Sequence, residues 1–158
     1  EAQKLARLDR LKTIWDAAPR ESRRIVAVRN EYVRGLARLN AQAEALAFVN
    51  NVLKQEWNAD LAASYGELHA DDPLSQLASI ENWLNQYGER PELLITAGRV
   101  CLRNKLWGKA RSYLDAMLRV APSAAAYLEL ARLSEMTQNT ADAQRFYRQG
   151  LEFAGQPL

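Results

Sequence analysis

Residues 91–122 read PELLITAGRVCLRNKLWGKARSYLDAMLRVAP, and the spacing inside this stretch decides the fold. Leu94, Ala97 and Gly98 fall on one face of a first helix, and Ala110, Leu114 and Met117 on one face of a second. Gly98 precedes Ala110 by twelve residues, Ala110 precedes Leu114 by four, and Leu114 precedes Pro122 by eight. The chemistry behind these offsets is steric. Gly98 and Ala110 are small so that two helices can cross with their backbones close together. Leu94 and Leu114 fill the space on either side, and Pro122 closes the unit.

The same offsets recur along the chain. Ala45, Ala78, Ala110 and Ala143 lie 33, 32 and 33 residues apart, and the residue twelve before each is Val33, Gly66, Gly98 and Ala131. The residue four after each is Val49, Asn82, Leu114 and Tyr147. The copy centred on Ala78 fits poorly. Asn82 cannot fill an aromatic position, so Trp83 or Leu84 takes that place through a local shift of register. A period of this length in helix-forming sequence marks helix pairs that bury their apolar faces on their neighbours. The competing reading is an unrelated helical bundle, against which three matching copies weigh. The spacing resembles that of tetratricopeptide (TPR) repeats. It predicts an all-α fold, a right-handed superhelix of TPR-like helix–turn–helix repeats. The repeat domain spans 22–158, in units of about 22–58, 59–90, 91–122 and 123–155. A helix in 1–21, without a partner of its own within a repeat, reads as the remnant of an upstream repeat.

Composition agrees with helix, since Gly and Pro are few among 158 residues. The formal charge of +2 gives no reason to expect a nucleic acid or a membrane surface as partner. One cysteine excludes an internal disulfide and a Cys-rich zinc site. No run of eighteen apolar residues is present, so nothing in the sequence spans a bilayer. The chain begins at Glu1, which predicts a fragment of a longer protein with any membrane anchor upstream.

Taken in order, the apolar spacing predicts helices over 2–17, 23–38, 41–56, 59–69, 73–87, 91–104 and 106–120, then one that follows Ser123 and a last one that follows Asn139-Thr140 and ends before Gly155. Ser22 is expected to cap the second of these, Asp72 with Pro73 to open the helix at 73, Ser123 the next-to-last, and Asn139-Thr140 the last. Leu151 is expected to face inward from the final helix, whose open face, with Phe146 and Phe153, suits a homodimer or an absent segment.

Residues that could carry chemistry are few. His69 and Cys101 each lie three positions after a repeat glycine, Gly66 and Gly98, where a side chain normally packs inside. A core cysteine and a turn-end histidine are the plainer reading, and haem or metal ligation the functional one. No nucleophile motif, phosphate loop, dinucleotide fingerprint or paired-carboxylate motif accompanies them, so the sequence predicts no enzyme and no metal site. The arginines are more informative. In stacked helix pairs the first helix of each pair lines the inner groove, and the residue just after the small one points there. Arg34, Arg99 and Arg132 occupy that position, Glu67 does so in the poor copy, and Arg38 and Arg103 follow four residues after Arg34 and Arg99. Arg34, Arg38, Arg99, Arg103 and Arg132 are therefore expected to form a basic stripe that captures an acidic peptide segment or another anion through guanidinium forks. The plain alternative is a solvated face. Asn30 is the one hint of a carboxylate clamp, and Trp57 and Trp83 are either core or a partner patch.

Several runs suggest a particular family. Glu81-Asn82-Trp83-Leu84, Pro91-Glu92-Leu93-Leu94, Gly98-Arg99-Val100-Cys101 and Leu106-Trp107-Gly108-Lys109-Ala110-Arg111 resemble the C-terminal repeat domain of the proteobacterial HemY proteins. Tyr65-Gly66-Glu67-Leu68 and the run from Tyr127 to Leu133 are similar to it too, and the resemblance covers about residues 14–153. It implies an inner-membrane protein, anchored by N-terminal helices absent from this sequence, whose soluble repeat domain is associated with late haem or porphyrin biosynthesis. It implies no catalytic residues. A flavin-dependent protoporphyrinogen oxidase shares the family's name in other bacteria, and its dinucleotide fingerprint is absent here. The expected function is a non-catalytic scaffold that binds proteins, haem-pathway enzymes among them, in a concave groove. The alternatives are a haem- or porphyrin-carrying domain using Cys101 or His69, and a TPR adaptor of an unrelated envelope assembly.

Overall fold

One turn occurs three times in the backbone. Asn40, Lys105 and Gln138 take left-handed conformations, with φ of 63°, 58° and 59°. The amide after each bonds back five residues. Ala41 N–H donates to the Leu36 carbonyl at 2.9 Å, Leu106 N–H to Cys101 at 2.9 Å, and Asn139 N–H to Ser134 at 2.7 Å. This closure satisfies carbonyls orphaned at the end of one helix and turns the chain into the next. Each left-handed residue lies seven places after a repeat position, Val33, Gly98 or Ala131. The repeat is thus written in the main chain as well as in the side chains.

The computed structural model describes residues 1–157, in which every regular element is an α-helix. These are α1 Ala2–Ala17, α2 Arg20–Arg23, α3 Val26–Arg38, α4 Gln42–Gln55, α5 Ala59–Tyr65, α6 Pro73–Tyr87, α7 Pro91–Arg103, α8 Trp107–Val120, α9 Ala124–Met136 and α10 Thr140–Ala154. They form two compact units, Glu1–Asp71 and the chain from Asp72 on. The boundary falls between α5 and α6, inside the segment 59–90 expected to be one repeat.

Pro73 explains why that segment departs from the others. It lies seven places after Gly66, where the other copies need a positive φ, and its ring holds φ near −65°. The shared turn cannot form there. α5 ends at Tyr65, short of the expected 69, and α6 starts at Pro73, two places earlier in its repeat than α4, α8 and α10 start in theirs. The Asp72 side chain caps α6 by accepting from Leu74 N–H at 3.1 Å and Ser75 N–H at 3.3 Å. The two-place shift buries Gln76, Ile80 and Trp83. Ala78, expected in the core by the repeat, is exposed instead. By the same shift the place expected for Trp83 or Leu84 falls to Ile80, and Trp83 stands where Val52 and Met117 stand in α4 and α8.

In the first unit the core is built from Val33 and Leu36 of α3, Ala45, Val49 and Leu53 of α4, and Leu61 and Tyr65 of α5. α1 packs on α3. Trp15 stacks on Tyr32 with centroids 4.2 Å apart and planes 10° from parallel, and Phe48 of α4 meets both rings edge-on. A Cβ on Gly35 would come within 2.8 Å of the Leu11 side chain, so the absence of one lets α1 approach. Ser22 does not cap α3. It lies within the single turn of α2, and α3 begins at Val26.

In the second unit α7 packs against α6, α8 and α9. A Cβ on Gly98 would meet Leu114 Cδ2 at 2.7 Å, the close approach that the spacing predicts. Ser123 and Asn139 cap α9 and α10 by accepting from Ala126 N–H and Asp142 N–H. Leu151, expected to face inward, is 75% exposed.

Candidate functional site

The first helices of the repeats carry charge at two linked positions. One place after the repeat position stand Arg34, Glu67, Arg99 and Arg132, and two places before it stand Glu31, Ser64, Thr96 and Glu129. A separation of three residues puts both positions on one face of a helix. Arg34 accordingly donates to Glu31 at 2.6 Å, and Arg132 to Glu129 at 3.2 Å.

The two pairs differ in depth. Glu31 and Arg34 are each 62% exposed at the side chain. Glu129 is only 4% exposed, and its Oε1 also accepts Arg99 Nε at 2.9 Å. One buried carboxylate on α9 therefore holds two guanidiniums, one from its own helix and one from α7. Taking a carboxylate out of water is costly unless it is paired and hydrogen-bonded, and here both conditions are met. Arg99 and Arg132 are thus brought together around a shared anion. Arg103 stands exposed at the end of α7.

In the first unit Arg34 lines a cavity of about 330 Å³ with Asn30, Asp60, Ser64 and Glu67. Asn30 Nδ2 donates to Asp60 Oδ2 at 3.3 Å, tying α3 to α5, while Asn30 Oδ1 is buried without a donor. Arg38 is exposed further along α3. The lining holds one arginine against two carboxylates. Each unit therefore presents a face of mixed charge rather than an uninterrupted basic stripe. Sequence reasoning missed Glu129, Glu31 and Asp60 as members of these sites. The Glu-x-x-Arg spacing at 31/34 and 129/132 was the signal that could have found the first two.

His69 and Cys101 do not share an environment. Cys101 is fully buried within α7, and burial pushes its thiol up to about 11. His69 lies beyond the end of α5 and is exposed, with its backbone N–H donating to Gln42 Oε1 at 3.0 Å. α5 stops four residues earlier, so His69 sits past the end of its helix, as the turn-end reading has it, and not at the inward place of the repeat. Among the described residues no three His, Cys, Asp or Glu side chains gather as metal ligands would, and no helix is long and apolar enough to cross a membrane.

The last helix pair leaves an apolar groove of about 180 Å³ between α9 and α10, lined by Leu128, Phe146, Tyr147 and Leu151 among others. Phe146 is mostly buried, with the Arg145 guanidinium 4.9 Å above its ring, and Phe153 lies against Tyr127. Exposed Leu151 stands in the lining with Phe146, whereas Phe153 lies outside it. Compared with protein-family models and with curated proteins, the chain matches none.

Proposed function

We propose that the chain is a non-catalytic interaction scaffold, built of TPR-like helix pairs that stack as a right-handed superhelix and bind an extended partner segment along their first helices. The observation that carries this reading is the threefold recurrence of one turn, at 36–41, 101–106 and 134–139, at the spacing of the sequence repeat. Repeats of this kind recognise partners through the faces their first helices share. Here those faces offer guanidinium–carboxylate pairs, which suit a segment carrying both charges better than a purely acidic one. The link to late haem or porphyrin biosynthesis at a bacterial inner membrane, and to haem-pathway enzymes as partners, rests on the HemY-like runs in the sequence alone. The open apolar groove at α9 and α10 supports a homodimer through the terminal helix as a further contact.

The test is affinity capture from bacterial membranes with the chain as bait, beside a bait carrying Arg99→Glu and Arg132→Glu. Haem-pathway enzymes enriched by the first and lost with the second are the expected result. Equal enrichment on two baits with the same helical circular dichroism would overturn the groove reading.

A further inference from the structure

A second site, independent of the repeat faces, lies where α1, α2, α3 and α4 meet. A cavity of about 340 Å³ opens there, within the range of small-ligand pockets. Trp15 and Phe48 supply its apolar part, and Arg20, Arg23, Arg24 and Arg29 its polar part. The sequence gathers these cations for a local reason. Pro19 ends the chain's run out of α1, and the single turn of α2 places Arg20, Arg23 and Arg24 at i, i+3 and i+4, on one face.

The charge on this wall is largely uncompensated. Arg29 pairs with Glu56, and its Nε donates to the Arg23 carbonyl at 3.0 Å. Arg20 and Arg24 are exposed, and neither takes part in an ion pair among the described residues. No carboxylate lines the cavity; Asp16 and Glu21 are near in sequence but outside the lining. Arg23 Nε is buried with no hydrogen-bond acceptor, and an unmatched buried donor is costly to keep. Trp15 is held in place by its stack on Tyr32, so the apolar part of the cavity is fixed before any ligand arrives.

We propose that this cavity binds a small amphiphilic anion, with its carboxylate or phosphate head on Arg20, Arg23 and Arg24 and its apolar body on Trp15 and Phe48. Planar guanidinium donors match the oxygens of either head group, and the rings give the body a dry surface.

The test is calorimetric titration of the whole chain with octyl phosphate and with octanoate below micelle formation. Octanol, inorganic phosphate and phosphatidylglycerol vesicles serve as comparisons. One saturable site for an octyl anion is expected, with octanol and inorganic phosphate at least tenfold weaker. Arg20→Glu with Arg24→Glu, at two exposed positions, should weaken the anion at least tenfold while the thermal melt stays unchanged, and Arg145→Glu should leave binding intact. Should the double reversal disturb folding, Arg20→Gln with Arg24→Gln removes the charge and keeps the side-chain stems. The proposal fails if neither octyl anion saturates, if octanol binds as tightly, if the charge-removed chain binds like the original, or if only vesicles bind.

Discussion

Gly35 and Gly98 serve the same purpose in the two units, with different consequences. A Cβ on Gly98 would come 2.7 Å from Leu114, and one on Gly35 would come 2.8 Å from Leu11. In each case a missing side chain lets another helix approach. Yet α7, which carries Gly98, lies among α6, α8 and α9 and buries nine of its thirteen residues. α1, which supplies Leu11, buries none of its sixteen. Close approach is a local event, and its energetic value depends on what encloses it. Leu114 is sealed on all sides, so truncating it leaves a void as well as losing the transfer energy of its methyl groups. Leu114→Ala is expected to cost about 3 kcal/mol. Leu11→Ala, where water can fill the gap, is expected to cost about 1 kcal/mol. Urea denaturation of the two variants measures the difference, and equal costs would break the comparison.

The same contrast governs what could be read from the sequence. Gly98 was legible because its partner Leu114 belongs to the same repeat, at a spacing the pattern fixes. Gly35 was not, because Leu11 belongs to a helix outside the pattern. That helix is held by a ring stack between Trp15 and Tyr32 rather than by a buried stripe. The helices were legible almost to the residue where the shared turn operates. They were misread around 59–90, where Pro73 occupies the turn's left-handed place. That one substitution displaced the core from Ala78 to Gln76 and took His69 out of a helix. The arginine positions were legible from the repeat, but their charge balance was not. Depth decides whether a neighbouring carboxylate is a counter-ion or a solvated bystander, and spacing carries no depth.

Glu129 and Glu31 sharpen this point, since they hold equivalent places with opposite burial. Glu129 anchors Arg99 and Arg132 from a site 4% exposed, whereas Glu31 meets Arg34 in open solvent. Glu129→Gln is expected to destabilise by about 2 kcal/mol, below the usual figure for a broken buried pair because both arginines retain access to water. Glu31→Gln is expected to change stability by less than about 0.5 kcal/mol. Thermal melts at low and high salt check both. The Glu31 effect should vanish in salt and the Glu129 effect persist.

Two carboxylates on second helices and their neighbours extend the comparison to pH. Glu44 in the first unit is held below the usual carboxylate range chiefly by the Lys12 ammonium at 3.0 Å. Glu81 in the second is held there first by the Tyr113 hydroxyl, which donates at 2.9 Å, and then by Lys109 at 3.1 Å. Burial and this same bond raise the ionisation of Tyr113 well above its usual range, so it stays a neutral donor at physiological pH. A carboxyl with a lowered folded-state pKa adds stability above its ordinary value of 4.5, and that contribution is lost as pH falls through the lower, folded value. Tyr113→Phe removes the larger of the two partners. Because the Glu81 side chain is 38% exposed, solvent discounts the loss to about 0.5–1 kcal/mol at pH 7. The gap between the original chain and Tyr113→Phe should close as pH falls through the lowered folded-state value of Glu81, below which both carry a protonated carboxyl. Lys12→Ala should follow the same pH course but lose its effect in high salt, because an exposed ammonium is screened and a half-buried hydroxyl bond is not. Melting curves at pH 7 and pH 3, with and without salt, separate the two. A Tyr113→Phe gap that stays constant across pH would mean that the hydroxyl contributes packing alone.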